Sequence, residues 1–139
     1  MTVQFLLDTN ILSEPLRPRP NPTIMAQLQQ WRHAIAIPAV VWHELWFGCY
    51  RLPPSARRTV IEQYLTGVVA GRLPILPYDQ RAADWHASER ARLSALGMTP
   101  PYADGMIAAI AMMNDLTLVT FNLGDYRAFD GLRITDWQT

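Results

Sequence analysis

Short apolar segments alternate with longer segments of helical periodicity along this chain of 139 residues. The apolar segments, each short enough for a strand, are residues 3–7, 34–38, 73–76, 116–120 and 132–135. Strands that alternate with helices form parallel sheets, because two parallel neighbours need a crossover connection. We therefore predict an α/β fold with a central parallel β-sheet flanked by α-helices on both faces. The length suits a single domain over residues 1–139.

Helices are predicted between these strands, over residues 23–31, 39–51, 55–69, 79–96 and 103–114. The first of them follows "PLRPRPNP" (residues 15–22), and we assign Thr23 as its N-cap. Four prolines in those eight residues exclude a helix and disfavour a strand. We expect an exposed loop there that carries Arg17 and Arg19.

Composition narrows the function classes. With 50% hydrophobic and 17% charged residues, the chain should be globular, and its apolar stretches are too short to span a bilayer. No stretch is flanked like a signal peptide, so we expect a cytoplasmic protein. The formal net charge is zero and all twelve basic residues are arginine, which excludes lysine-based chemistry and a Walker-type phosphate loop. The single Cys49 excludes an internal disulfide and is expected to be a small buried hydrophobe.

One aspartate occupies a position that parallel sheets use for ligands. Asp8 directly follows the first apolar segment, where that strand must end. Such sheets bind ligands at the carboxyl ends of their strands, where the order of the strands reverses. Asp8 is therefore the first candidate site residue.

Two further carboxylates lie within apolar helical patterns. The neighbours of Glu44 at helical spacing are apolar or small, namely Val40, Val41, Phe47 and Gly48. Asp104 has Ile107, Ala108 and Ala111 at the same spacings. Both side chains are thus expected on buried faces. Two alternatives stay open: Glu44 can lie at a helix edge, and Asp104 can simply cap its helix or complement the helix dipole.

Three buried carboxylates would repel one another and need a positive partner. No arginine lies within a helical turn of Glu44 or Asp104, so a divalent cation is the better candidate. Ligation by oxygen alone suits Mg²⁺ or Mn²⁺ and argues against zinc. His43 points about 100° away from Glu44 around the helix and is not expected to be a ligand. Such a metal site is suited to hydrolysis of phosphodiesters.

Two other classes of acid-containing site fit less well. A phosphotransfer receiver domain needs a lysine beside its acids, and this chain has none. A phosphatase of the haloacid dehalogenase type needs an aspartate two residues after the nucleophile, where this chain has Asn10.

Four segments together resemble the PIN domain family, and in particular the VapC/FitB-type toxins of bacterial toxin–antitoxin pairs. They are "LLDTNILSEPLRP", "AVVWHELWFG", "YADGMIAAIAMMNDLTLVT" and "FNLGDYRAFDGL". By this resemblance Asp8, Glu44 and Asp104 are the catalytic acids that bind the metal ion. It also implies endoribonuclease activity dependent on Mg²⁺ or Mn²⁺, a small inhibitory antitoxin and a homodimer.

One position departs from the family pattern. The family often has a fourth acid two residues after the threonine of the "LVT" strand, where this chain has Asn122. An amide oxygen can bind a metal ion without adding charge, whereas Asp125 can turn inward or simply cap a loop. We favour Asn122 and one tightly bound ion. Thr9, Asn10 and Thr120 are expected to hydrogen-bond the ligands or a water, or else to stabilise local turns.

The leading hypothesis is an RNA-cleaving toxin, with Arg17 and Arg19 as candidate contacts to the RNA. One alternative is a catalytically weak PIN-like module that binds RNA or a protein partner. Another is a DNA-directed nuclease, or a subunit of an operator-binding complex in which only the antitoxin contacts DNA. Five tryptophans in so short a chain also suggest a subunit interface.

Overall fold

A five-stranded sheet forms the centre of the molecule. The computed structural model describes residues 2–138, so the ends of the predicted domain, Met1 and Thr139, lie outside the described residues. All neighbouring strands are parallel and their order is β3-β2-β1-β4-β5. The strands are β1 (Phe5–Leu7), β2 (Ile35–Pro38), β3 (Ile75–Leu76), β4 (Thr117–Val119) and β5 (Ile134–Thr135). The predicted fold class is confirmed.

Seven α-helices flank the sheet over residues 2–138. They are α1 (Thr9–Leu12), α2 (Pro22–Gln30), α3 (Ala39–Tyr50), α4 (Ala56–Gln63), α5 (Gln80–Ala95), α6 (Tyr102–Met113) and α7 (Leu123–Tyr126). A π-helical segment, Tyr64–Val69, continues α4. The four-residue helices α1 and α7 were not predicted, because so short a segment contains little more than one helical period. No helix within the described residues is long and apolar enough to cross a membrane.

The order of the strands places a crevice beside β1. The chain passes from β1 to β2 and β3 on one side, and then returns to β4 on the other side of β1. Ligand sites of open parallel sheets lie at such a reversal, outside the carboxyl ends of the strands. Leu7 is paired with Val119 across β1 and β4, so the next residues, Asp8 and Thr120, lie side by side at this edge.

The proline-rich segment is more regular than predicted. Residues Glu14–Leu16 form a 3₁₀ turn, and Pro22 is the first residue of α2, where a missing N–H costs nothing. The N-cap is Asn21, whose side chain accepts a hydrogen bond from the backbone N–H of Thr23 (2.8 Å), so the assignment of Thr23 as the cap was wrong. Within this segment, residues 17–19 and Pro22 are exposed.

A buried carboxylate explains the regular conformation of the proline-rich segment. Glu14 is fully buried and accepts hydrogen bonds from the backbone N–H of Asn21 (2.8 Å) and from the Arg17 guanidinium (3.1 Å). Because a buried charge needs such partners, Glu14 fixes both ends of the loop.

Helices α5 and α6 approach closely at Gly105. A Cβ atom on Gly105 would lie 2.1 Å from the Nε2 atom of His86. The His86 ring is buried, and its Nδ1 atom hydrogen-bonds the Tyr78 hydroxyl at 2.9 Å. The ring therefore has little room to move, and the glycine sets how deeply the first turn of α6 packs on α5.

We expect Gly105→Ala to destabilise the protein by about 1–3 kcal/mol through overpacking. Gly48→Ala is the matched control, because its added Cβ would meet nothing within 4 Å inside α3. That variant should be neutral or more stable by up to about 1 kcal/mol. Urea denaturation measures both, and equal midpoints for the two variants would contradict the packing role of Gly105.

Candidate active site

Asp8 occupies the carboxyl edge of β1 and both of its carboxylate oxygens accept hydrogen bonds. The side chain is 7% exposed and is the N-cap of α1, with Oδ1 accepting from the backbone N–H of Thr9 at 2.8 Å. Oδ2 accepts from the Thr120 hydroxyl at 2.8 Å. The carboxylate is thus fixed between two strands that are distant in sequence.

The residues expected to support Asp8 do so in different ways. Thr120 is fully buried, and its hydroxyl also accepts a hydrogen bond from the backbone N–H of Asn122 at 3.0 Å. Thr9 contributes its backbone N–H to Asp8 rather than its hydroxyl. The Asn10 side chain accepts a long hydrogen bond, 3.4 Å, from the backbone N–H of Phe121. Asn10 therefore links the loops that follow β1 and β4.

Asp104 lies in the first turn of α6 and is half-buried. Its predicted apolar neighbours Ile107, Ala108 and Ala111 are all buried. The capping alternative does not describe it, because the N-cap of α6 is Pro101 and no side chain makes a capping hydrogen bond there. Asp104 instead accepts a hydrogen bond at 3.3 Å from a residue that sequence reasoning missed, Tyr126.

Tyr126 brings two of the predicted acids together. Its side chain is 1% exposed, and its hydroxyl lies 3.4 Å from Oδ2 of Asp8 and 3.3 Å from Oδ1 of Asp104. In the sequence it is one aromatic residue among several in "FNLGDYRAFDGL", and nothing there distinguishes a hydroxyl directed at carboxylates from a ring packed in the core.

Negative charge accumulates at this site. Burial raises the pKa of Asp104 above the usual range of an aspartate, and the charges of Asp8 and Asp125 raise it further, against a smaller opposite effect of the Tyr126 hydrogen bond. Burial and the carboxylates of Asp8 and Asp104 also raise the pKa of Tyr126. The hydroxyl therefore stays protonated, and the ionised form of Asp104 is destabilised.

Arginine does not compensate this charge. The five ion pairs found within residues 2–138 use other acids, namely Glu14, Glu62, Asp79, Glu89 and Asp115. The carboxylates of Asp8 and Asp104 meet here, and carboxylate oxygens are ligands that Mg²⁺ and Mn²⁺ prefer. The donor set fits such an ion.

Glu44 does not occupy the buried position that we predicted. Its side chain is exposed, as is Phe47 one turn further along α3. Helix α3 is apolar on nearly every side, so helical spacing could not indicate which side faces the core; the buried residues are Val41 and Cys49. Glu44 lines a surface groove that also includes Thr9, the neighbour of Asp8.

The three predicted acids, Asp8, Glu44 and Asp104, do not form one cluster. Within residues 2–138 no group of three or more His, Cys, Asp or Glu side chains is placed to bind one ion. Asp8 and Asp104 are joined through Tyr126, while Glu44 lies in the adjoining groove. His43, which was not expected to be a ligand, is exposed.

The remaining predicted site residues are exposed at the surface of the protein. Asn122 is exposed at the start of α7, and its backbone carbonyl accepts a hydrogen bond from the N–H of Asp125 at 3.0 Å. Asp125 is exposed in the first turn of α7. Arg17 lines the same groove as Glu44, whereas Arg19 is exposed and is not part of the groove lining.

Comparison with known proteins gives consistent matches over the chain. A model of the PIN domain matches residues 5–131. The chain is 35% identical to Toxin FitB of Neisseria gonorrhoeae, covering 96% of this chain and 98% of that protein. It is 33% identical to the tRNA(fMet)-specific endonuclease VapC of Salmonella typhimurium, covering 97% and 98%. The solved structure of FitAB bound to an IR36 DNA fragment has a TM-score of 0.86 at 30% identity, covering 98% of this chain and 97% of that chain.

We expect Asp104→Asn to stabilise the metal-free protein, because it removes a charge that burial and two neighbouring acids disfavour. The raised pKa means that the folded state binds this proton more tightly than the unfolded chain. The stabilisation should therefore be present at pH 7 and shrink as the pH falls through the raised pKa of Asp104 into the ordinary aspartate range. Thermal melting in EDTA between pH 3 and 7 measures it.

Asp8→Asn is the informative comparison. An amide has one acceptor oxygen, so it cannot accept from both the Thr9 N–H and the Thr120 hydroxyl, which contact different oxygens of Asp8, and we expect a loss of about 1–2 kcal/mol. An Asp104→Asn protein that melts below the wild type in EDTA at pH 7 would contradict the assignment of Asp104 as an uncompensated charge.

Proposed function

The chain belongs to the PIN domain family, and from this premise we propose that it is a metal-dependent endoribonuclease and the toxin of a toxin–antitoxin pair. The observation that carries this proposal is the pair of carboxylates, Asp8 and Asp104, that share one buried hydroxyl at the sheet edge and have no arginine partner within the described residues. A site of this charge needs a cation, and relatives with the same fold are named as nucleases.

Asp8 and Asp104 would bind Mg²⁺ or Mn²⁺, with Glu44 turning toward them from the groove. An exposed glutamate side chain has the rotamer freedom for that movement. When bound, the ion polarises a phosphoryl oxygen and lowers the pKa of a coordinated water. The part of the protein is to orient the ligands: Thr120 and the N–H of Thr9 fix Asp8, and Tyr126 contacts both acids.

Arginines beside the acids suit an RNA substrate. Arg17, Arg51 and Arg57 line the groove that contains Glu44, and its volume is about 670 Å³. Arg17 is oriented by the buried Glu14 carboxylate, so part of its ordering cost is already met before a phosphate binds. Arg19 has no comparable support, and we assign the RNA contact to Arg17.

The purified protein should cleave single-stranded RNA with Mn²⁺ or Mg²⁺ and lose this activity in EDTA. Loss of a residue that merely supports a metal ligand typically costs 10–100-fold, so we expect Asp104→Ala to lose more than about 100-fold. Asp115→Ala is the matched control, because Asp115 is an exposed aspartate paired with Arg133 away from the site.

Substrate choice separates the alternatives. Cleavage of DNA with equal efficiency would favour the DNA-directed nuclease. RNA binding without metal-dependent cleavage would favour the catalytically weak module and would contradict our proposal.

A fourth oxygen ligand can come from Asn122 or Asp125. The sequence favoured Asn122. Burial and the charge of Asp8 are the larger causes of the raised pKa of Asp104, but the charge of Asp125 also contributes, which supports Asp125. We therefore expect Asp125→Asn to lower the rate of Mn²⁺-dependent cleavage by about 10-fold or more, and Asn122→Ala to have little effect. Rates measured against Mn²⁺ concentration distinguish the two residues, and the opposite ranking would restore Asn122.

An antitoxin would inhibit by occupying the same groove. Leu45, Leu52, Val60 and Ile61 line it beside the arginines, which suits an amphipathic segment with acidic residues. A segment bound there would block access to Glu44. Any contact with DNA would come from this partner. The homodimer also stays a prediction, supported by exposed aromatic side chains such as Phe47 (51%) and Tyr50 (62%).

A further inference from the structure

We infer that Tyr126 is a positioning residue of the metal site, and that its hydroxyl sets the separation of the Asp8 and Asp104 carboxylates before an ion binds. This inference rests on the proposed metal site, but not on the identity of the nucleic acid that is cleaved. It follows from the position of one oxygen atom.

Three elements of the fold meet at that oxygen. Asp8 follows β1, Asp104 lies in the first turn of α6, and Tyr126 ends α7. Among the hydrogen bonds of residues 2–138, those of Tyr126 alone reach both acids. The position of α7 is thereby coupled to the distance between the two carboxylates.

The two acids depend on Tyr126 to different degrees. Asp8 is already fixed by the N–H of Thr9 and by the Thr120 hydroxyl, both at 2.8 Å. In the described part of the chain, the Asp104 carboxylate has one hydrogen-bond partner, which is Tyr126. Removal of the hydroxyl should therefore free Asp104 and leave Asp8 in place.

The hydroxyl also opposes the repulsion between the acids. A phenol has one proton and can donate to one carboxylate at a time. Its distances to the two acids, 3.4 and 3.3 Å, are nearly equal and longer than the usual 2.7–2.8 Å of an O–H···O bond. A proton shared in this way attracts both carboxylates toward one point without binding either firmly, so an incoming cation can replace it.

The core itself has no need of this oxygen. Burial of a hydroxyl is unfavourable unless it is hydrogen-bonded, and a phenylalanine would fill the same space beside Phe129, whose ring centroid is 6.1 Å away. Tyr64 provides the contrast, because its hydroxyl donates to the backbone carbonyl of Leu12 at 2.6 Å and contacts no carboxylate. Its role is structural.

The test is Mn²⁺ titration calorimetry on the wild type, Tyr126→Phe and Tyr64→Phe, with folding of each protein checked by melting in EDTA. Both variants lose one hydrogen-bonded hydroxyl. We expect Tyr126→Phe to bind Mn²⁺ about 10-fold more weakly and Tyr64→Phe to bind it as the wild type does. Cleavage by Tyr126→Phe should need a higher Mn²⁺ concentration for its half-maximal rate, and its rate at saturating Mn²⁺ should return toward that of the wild type.

Each other result has a defined meaning. Equal Mn²⁺ affinity of Tyr126→Phe and the wild type would overturn the inference, as would an equal loss in Tyr64→Phe, which would indicate general destabilisation. A wild type that binds Mn²⁺ but cleaves no RNA would contradict the proposed function. The Mn²⁺ affinities of the variants would then still decide whether Tyr126 positions the two acids. A wild type that binds no Mn²⁺ would refute both.

Discussion

The architecture of the site depends on burial of the Asp8 carboxylate at the end of the central strand. An ionised carboxylate that is 7% exposed is stable only with hydrogen-bond donors, and these come from Thr9 on the next helix and Thr120 on the neighbouring strand. The pairing of β1 with β4 brings Thr120 to that place. The crevice beyond these strand ends is therefore lined by polar side chains. One residue earlier in each strand, Leu7 and Val119 are fully buried.

Sequence alone could predict the features that depend on hydrophobic periodicity and on the order of strands and helices along the chain. Alternation of strand and helix patterns was enough for the sheet, and a carboxylate directly after a buried strand was enough to place Asp8 at its edge. Asp104 is half-buried as expected, but α6 is itself apolar nearly all round, with Gly105 and residues 107–111 buried, so helical spacing alone did not fix its direction. For the sheet and for Asp8, a local pattern carries information about direction.

Prediction failed where a helix is apolar on all sides, so that its sequence does not indicate which side faces the core. It also failed where two contacting residues are far apart in the sequence. Helix α3 is apolar nearly all round, so the exposure of Glu44 could not be inferred from its neighbours. The contact of Tyr126 with Asp8 spans 118 residues, and only the folded chain brings them together. The regular conformation of the proline-rich segment likewise depends on a tertiary contact. The buried Glu14 carboxylate hydrogen-bonds residues on both sides of the bend.

The distribution of charge connects these observations to function. Zero net charge for the whole chain does not imply local neutrality, because arginines pair with Glu14, Glu62, Asp79, Glu89 and Asp115. Near the crevice, burial raises the pKa of Asp104, and the charges of Asp8 and Asp125 raise it further. Arginine pairs with five acids away from the crevice, whereas Asp8, Asp104 and Asp125 have no arginine partner in the described part of the chain and repel one another. In the proposed metal complex a cation would relieve that repulsion, and folding stability and metal binding would then be linked through the same residues.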